Sequence, residues 1–141
     1  MPKLDRVIAI ANQKGGVAKT TTAINLAASL AMAGQRILVV DLDPQANLTS
    51  GLGKKGQLPD AGSVYEALTG NHDDPLAFVL QTSFDHLALL PSDRDLTGAE
   101  IELVSFEDRE QRLRKLLDGL RPRFDYIFVD TPPSLGLLTL N

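Results

Sequence analysis

Apolar residues along the chain fall into two kinds of run. Four runs are short and continuous: VIAIA at 7–11, ILVV at 37–40, LALL at 87–90 and YIFV at 126–129. Runs of this length, bounded by turn chemistry, suit strands buried on both faces of a parallel sheet, where neither face is wet and no alternation is required. Pro91 stops the third of them. The other kind recurs at helical intervals. In TTTAINLAASLAMAG, Ile24, Leu26, Ala27, Leu30 and Ala31 have helical spacing, and Gly34 supplies a C-terminal stop. Residues 106–120 put Leu113, Leu116, Leu117 and Leu120 on one face, with Arg and Glu elsewhere. Ser63 to Glu66 spell a capping box for a short helix ended by Gly70, and Asp74-Pro75 reads as the cap and first position of another. Residues 51–62, GLGKKGQLPDAG, are a loop by composition. Strands and helices alternating over long crossovers predict an α/β fold with helices on both faces of the sheet. At the end of the sequence, LGLLTLN reads as a helix cut inside its second turn, so residues 1–141 are expected to be part of a longer protein.

Composition narrows the setting. A chain of 141 residues, 43% hydrophobic and 23% charged, is enough for one domain with a core. The net charge of -4 gives no support to polyanion binding by the chain as a whole. Cysteine is absent, which removes disulfides, thiolate zinc sites, iron–sulfur clusters and cysteine nucleophiles together. MPKLDR leads into a strand-length apolar run rather than a signal core, and no run approaches a membrane span. The expectation is a soluble cytoplasmic protein with no membrane segment in this chain.

The chemistry concentrates at three strand ends. After the first strand comes NQKGGVAKTTT, residues 12–22. Measured against G-x-x-x-x-G-K-[ST] it has Gln13 and Ala18 where glycines are wanted, but it adds Gly15, Gly16 and a second lysine, Lys14. Its place between a buried strand and a helix start is what phosphate binding needs: free N–H groups and the positive end of a helix dipole. Small residues at 15, 16 and 18 let the backbone approach phosphate oxygens. Lys19 can reach the β- and γ-phosphates, Thr20 offers a hydroxyl to Mg²⁺, and Thr21 offers another to a phosphate. The bland reading, a tight Gly-Gly turn and a solvated lysine, does not account for the strand and helix on either side. The second strand ends in Asp41-Leu-Asp43-Pro44-Gln45 and the 126–129 strand in Asp130-Thr-Pro-Pro133. In a parallel sheet these ends share one edge, where ligands bind. Carboxylates there can hold Mg²⁺ through its waters or orient an attacking water. Asp41 and Asp43 alternate, so one is expected to face the site and the other a structural partner.

These blocks, K-G-G-V-x-K-T-T at 14–21, D-L-D-P-Q at 41–45 and V-D-T-P-P-S at 129–134, resemble the ParA/Soj partitioning ATPases, in the wider group with the cell-division regulator MinD. That family carries a deviant Walker A motif, so Gln13 is no defect. The resemblance implies a P-loop NTPase-type, mostly parallel sheet. It makes residues 1–141 the N-terminal part of a single deviant Walker A ATPase domain, cut at its C-terminus, with the 7–11 strand left as an apolar edge. It implies ATP and Mg²⁺ as cofactors. Lys14 would act across an ATP-sandwich homodimer, with Gly15 at the close subunit contact. The loop of Lys14, Gly15, Gly16, Val17, Ala18, Lys19, Thr20 and Thr21 would bind the nucleotide. Lys14, Lys19 and Asp43 would be the catalytic residues, Asp43 by positioning the hydrolytic water. Thr20, Asp43 and Asp130 would serve the metal, Asp130 through water. The implied activity is a slow, dimerisation-coupled ATPase in chromosome or plasmid partitioning, nucleoid-associated, with a ParB-type partner and nonspecific DNA bound through the missing C-terminal half. Two positions depart from the family pattern, Ala18 and Ala46, each standing where glycine is usual. Of these Ala18 is the expected liability: a positive φ there would cost an alanine roughly 1–2 kcal/mol.

Two other readings stay open. The chain could be a truncated, non-hydrolysing nucleotide-binding or scaffold paralogue, which the intact Lys14, Lys19, Asp43 and Asp130 oppose. It could be a MinD-like positioning ATPase, against which the D-L-D-P-Q and N-L-T-S-G-L-G blocks weigh. The sequence downstream of Asn141 separates them: a basic half supports partitioning, an amphipathic terminal helix MinD-like work, and a stop codon the truncated module.

Overall fold

The computed structural model describes residues 6–11, 17–43, 45–70, 74–93 and 109–131. All four expected strands are present: β1 (Arg6–Ala11), β2 (Ile37–Asp41), β4 (Leu87–Leu90) and β5 (Tyr126–Thr131), with a two-residue β3 (Leu80–Gln81). Among the described residues they form one sheet in the order β1-β5-β2-β4-β3. Every pairing is parallel except β3 with β4. The fold is therefore the expected α/β sheet of mostly parallel strands.

Alternation along the strands divides the core in two. Ile37, Val39, Leu87, Leu89 and Phe128 pack with Ala27 and Ala31 of α1 (Val17–Met32) and with Leu48 and Leu52 in and just after α2 (Asn47–Gly51). Leu38, Val40, Ala88, Leu90, Ile127 and Val129 pack the other way, on Val64 and Leu68 of α3 (Val64–Thr69) and on the four leucines of α4 (Arg109–Leu120). Both faces of β2, β4 and β5 are covered, so these strands read as unbroken apolar runs, whereas in β1 Ile8 and Ala9 are exposed and Val7 and Ile10 half-buried. Each fully buried Leu, Ile or Val stabilises the fold by roughly 1.5–3 kcal/mol.

The helices follow the sequence with three departures. In α1 the buried line is Ala23, Ala27 and Ala31, whereas Leu26, at 47% exposure, stands off the core. Small residues at four-residue spacing let the helix lie close to the sheet, and the apolar stripe is narrower than Leu26 suggested. The helix stops as expected at Gly34, whose φ is 92°. The Gly34 N–H donates to the Ala31 carbonyl at 2.9 Å and the Gln35 N–H to Leu30 at 3.1 Å, a Schellman closure. The capping box is also as read: Ser63 accepts from the Tyr65 N–H, and the Glu66 carboxylate accepts from the Ser63 N–H at 2.8 Å. At Asp74 the expected helix is only a 3₁₀ turn, Pro75–Phe78, because Val79 is extended and leads into β3. Asp74 still caps it, accepting from the Leu76 N–H at 3.1 Å. The start of the 106–120 helix and the 135–141 segment lie outside the described residues.

The third departure is α2, a helix the sequence did not predict. Apart from Leu48, its five residues, NLTSG, are middling to poor helix formers, and they show no apolar period. The residue before it, Ala46, is left-handed at φ 56° and ψ 38° and makes no side-chain cap. This corrects the expectation about glycine replacements. Ala18 lies within α1, where the backbone is right-handed, so it carries no such strain. The strain falls on Ala46 instead. β1, as expected, is an edge strand among the described residues, paired on one side with β5 and leaving Ile8 40% exposed.

Ala46→Gly should therefore stabilise the protein. Relief of about 1–2 kcal/mol of left-handed strain exceeds the ~0.5–1 kcal/mol that glycine loses in chain entropy. Thermal unfolding of the variant should show a midpoint raised by a few degrees. A lowered midpoint would mean that Ala46 does not hold this conformation in solution.

Candidate functional site

Parallel register brings three strand ends to one edge. Ile10 of β1 pairs with Asp130 of β5, and Asp130 pairs in turn with Asp41 of β2. The 16 residues of α1 run about 24 Å. Because that helix ends next to the start of β2, its first turn lies back at the carboxyl edge. Its N-terminal N–H groups and dipole thus face the region beyond Asp41 and Asp130.

Of the expected phosphate loop, Val17, Ala18, Lys19, Thr20 and Thr21 belong to the opening turns of α1. Thr20 is buried, at 7% exposure, and Thr21 is exposed. Lys14, Gly15 and Gly16 lie outside the described residues. Asp130 is buried beside Asp41, and its carbonyl accepts from the Leu42 N–H at 3.0 Å.

The ambiguity between Asp41 and Asp43 is resolved by hydrogen bonds. Asp41 is fully buried. It accepts from the Thr49 N–H at 2.9 Å, the Thr49 hydroxyl at 2.7 Å and the Asp43 N–H at 3.0 Å. Its pKa is raised to about 6, chiefly by burial and further by the charge of Asp130, against the opposing pull of the donors from Thr49 and Asp43. Asp41 is the structural partner: it satisfies an N–H of α2 that Ala46 cannot cap. Asp43 is the half-buried one, and its carboxylate accepts from the Gln45 N–H at 2.9 Å.

Two residues of this edge were not singled out in the sequence. Thr49 joins Asp41 to the segment after β4 by accepting from the Ser92 N–H at 3.1 Å. Ser92 donates its hydroxyl to the Asp43 carbonyl at 2.7 Å. Neither carries a local signal, because both act on residues far away in sequence.

Among the described residues no cluster of three or more His, Cys, Asp or Glu side chains could hold a metal ion alone. What the edge offers is a threonine hydroxyl and two carboxylates, all hard oxygens. That set fits Mg²⁺, which keeps waters and takes phosphate oxygens rather than an all-protein cage. Among the described residues no helix is long and apolar enough to cross a membrane.

Comparison with known proteins agrees with this geometry. The AAA domain family AAA_31 matches residues 5–141. Over 137 residues the chain is 57% identical to a chromosome partitioning protein ParA of Myxococcus xanthus, covering 96% of this chain and 47% of that protein. The chain belongs to the ParA/Soj family. A second member, the sporulation initiation inhibitor protein Soj of Bacillus subtilis, is 48% identical over 139 residues, 98% of this chain and 54% of Soj. Among solved structures, a protein of Mycobacterium smegmatis described as cobyrinic acid a,c-diamide synthase, with bound ADP and magnesium, superposes with a TM-score of 0.86 at 47% identity. It is covered over 98% of this chain and 55% of its own. This ParA/Soj chain therefore spans about half the length of the relatives it matches.

The threonine link gives a test of the edge itself. Thr49→Val keeps the shape but removes a donor to buried Asp41 and the acceptor of the buried Ser92 N–H. Urea unfolding should show a loss of about 2–4 kcal/mol, since each stranded buried group costs ~1–3 kcal/mol. A loss below about 0.5 kcal/mol would place Thr49 among ordinary surface substitutions.

Proposed function

We propose that these residues carry the nucleotide site of a Mg²⁺-dependent ATPase that acts in chromosome or plasmid partitioning. The observation that supports this best is the parallel register that sets buried Asp130 beside Asp41 at the ends of β5 and β2, with half-buried Asp43 just beyond and buried Thr20 in the opening turn of α1. The N–H groups of that turn and Lys19 bind the phosphates, Lys19 at the β- and γ-positions. Thr20, Asp43 and Asp130 are the residues that would hold Mg²⁺, which when bound with ATP offsets the charge that develops on the phosphates. Asp43 orients the attacking water. Lys14 reaches the nucleotide of a second copy in an ATP-sandwich homodimer, so that turnover requires dimerisation. In the whole protein a ParB-type partner and nonspecific DNA complete the partitioning system, in the cytoplasm at the nucleoid. ParA and Soj names among relatives at 57% and 48% identity support the same reading.

The two lysines separate by experiment. In the natural full-length protein, Lys19→Ala should abolish ATP binding in calorimetry, whereas Lys14→Ala should bind ATP as a monomer and neither dimerise nor turn over. If Lys14→Ala dimerised with ATP, by light scattering, and hydrolysed it at the parent rate, the role across the dimer would be wrong.

Asp43→Ala should bind ATP and dimerise but hydrolyse little, because losing a water-positioning group costs chemistry more than binding. Lost ATP affinity, with turnover per bound ATP unchanged, would remove Asp43 from the hydrolytic role.

A further inference from the structure

Asp43 is held by a closed ring of hydrogen bonds. Its N–H donates to the Asp41 carboxylate at 3.0 Å. Asp41 accepts from the Thr49 hydroxyl at 2.7 Å. The same Thr49 oxygen accepts from the Ser92 N–H at 3.1 Å, and the Ser92 hydroxyl returns to the Asp43 carbonyl at 2.7 Å. The donor count balances: each hydroxyl spends its one proton inside the ring, on Asp41 and on the Asp43 carbonyl. All members except Asp43 are buried, Ser92 at 3% exposure.

The ring is anchored outside the phosphate loop. Ser92 follows the fully buried β4, and the Pro91 carbonyl beside it accepts from the Val64 N–H at 2.9 Å, at the start of α3. Both polar groups of the Asp43 backbone are thus fixed by side chains, one from β2 and one from the segment after β4. The carboxylate is restrained in turn by the Gln45 N–H. A group that aims a water at a phosphorus needs that restraint, because misplacement of about an ångström can cost up to ~100-fold in rate.

We infer that Ser92, acting through the ring it closes with Thr49 and Asp41, is a positioning residue for Asp43 in the hydrolytic step. This rests on the proposed role of Asp43. None of the ring's hydrogen bonds runs to a described residue of the opening turn of α1, so its loss should leave the phosphate contacts in place.

The test uses the natural full-length protein with ATP and Mg²⁺, comparing parent, Ser92→Ala and Asp43→Ala. Ser92→Ala should lower kcat roughly tenfold. It should change the ATP dissociation constant by no more than about twofold and prolong the ATP-bound dimer in light scattering, as Asp43→Ala does. Parent-like turnover in Ser92→Ala beside an impaired Asp43→Ala would overturn the inference and leave the role of Asp43 standing. Affinity and turnover falling together, or a Ser92→Ala protein that no longer folds, would make the hydroxyl a stability element and also overturn it. Parent-like turnover in Asp43→Ala would overturn the role of Asp43, and the inference with it.

Discussion

The position of β5 between β1 and β2 is the constraint on which the site depends. With both neighbours parallel to it, a single register sets Ile10, Asp130 and Asp41 side by side across three strands. That register is enforced from both faces, since a slip by one residue would exchange Phe128 for Ile127 and Val129 between the two halves of the core. The sheet thus delivers an aspartate at the end of β5 next to one at the end of β2, and turns the start of α1 towards both. The arrangement has an energetic cost. Two carboxylates on adjacent strands lose water and repel, and the raised pKa of Asp41 records chiefly the lost water. The donors from Thr49 and Asp43 offset part of that cost. A core built only for stability would place apolar groups there, so the edge is where fold and chemistry conflict.

The same edge shows how a segment of low helical propensity becomes helical. NLTSG has no cap of its own and starts from a strained alanine. It is held because Asp41 offers its carboxylate to the Thr49 N–H, while Leu48 and Leu52 fill the core beneath α1. The stabilisation is tertiary, and α2 in return supplies the threonine that ties β2 to the segment after β4.

Most of the frame was legible in the sequence for local reasons. VIAIA, ILVV, LALL and YIFV are strands because each is continuous and apolar, and the last three are covered on both faces. Gly34 and the Ser63–Glu66 box mark helix ends by chemistry that acts within a few residues. What stayed hidden depends on partners far along the chain. Nothing near Asp41 and Asp43 says which is structural; that is decided by Thr49, eight residues on. Ser92 acts on Asp43 across 49 positions. Of the two alanines that replace glycine the sequence points to Ala18 as the costly one, and only the backbone shows that the left-handed residue is Ala46. Leu26 was misread because alanines, not leucines, form the line of α1 that meets the sheet.

On the proposed function, the carboxyl edge of β1, β5 and β2 binds a divalent cation together with nucleotide phosphates and not by itself. Electron paramagnetic resonance with Mn²⁺ in place of Mg²⁺ tests this in the natural full-length protein. Mn²⁺ should bind weakly without nucleotide and much more tightly with ATP, with phosphorus hyperfine coupling in the bound signal and weakening by Asp130→Asn. Tight Mn²⁺ binding without nucleotide, or an ATP-dependent signal unchanged by Asp130→Asn, would contradict it.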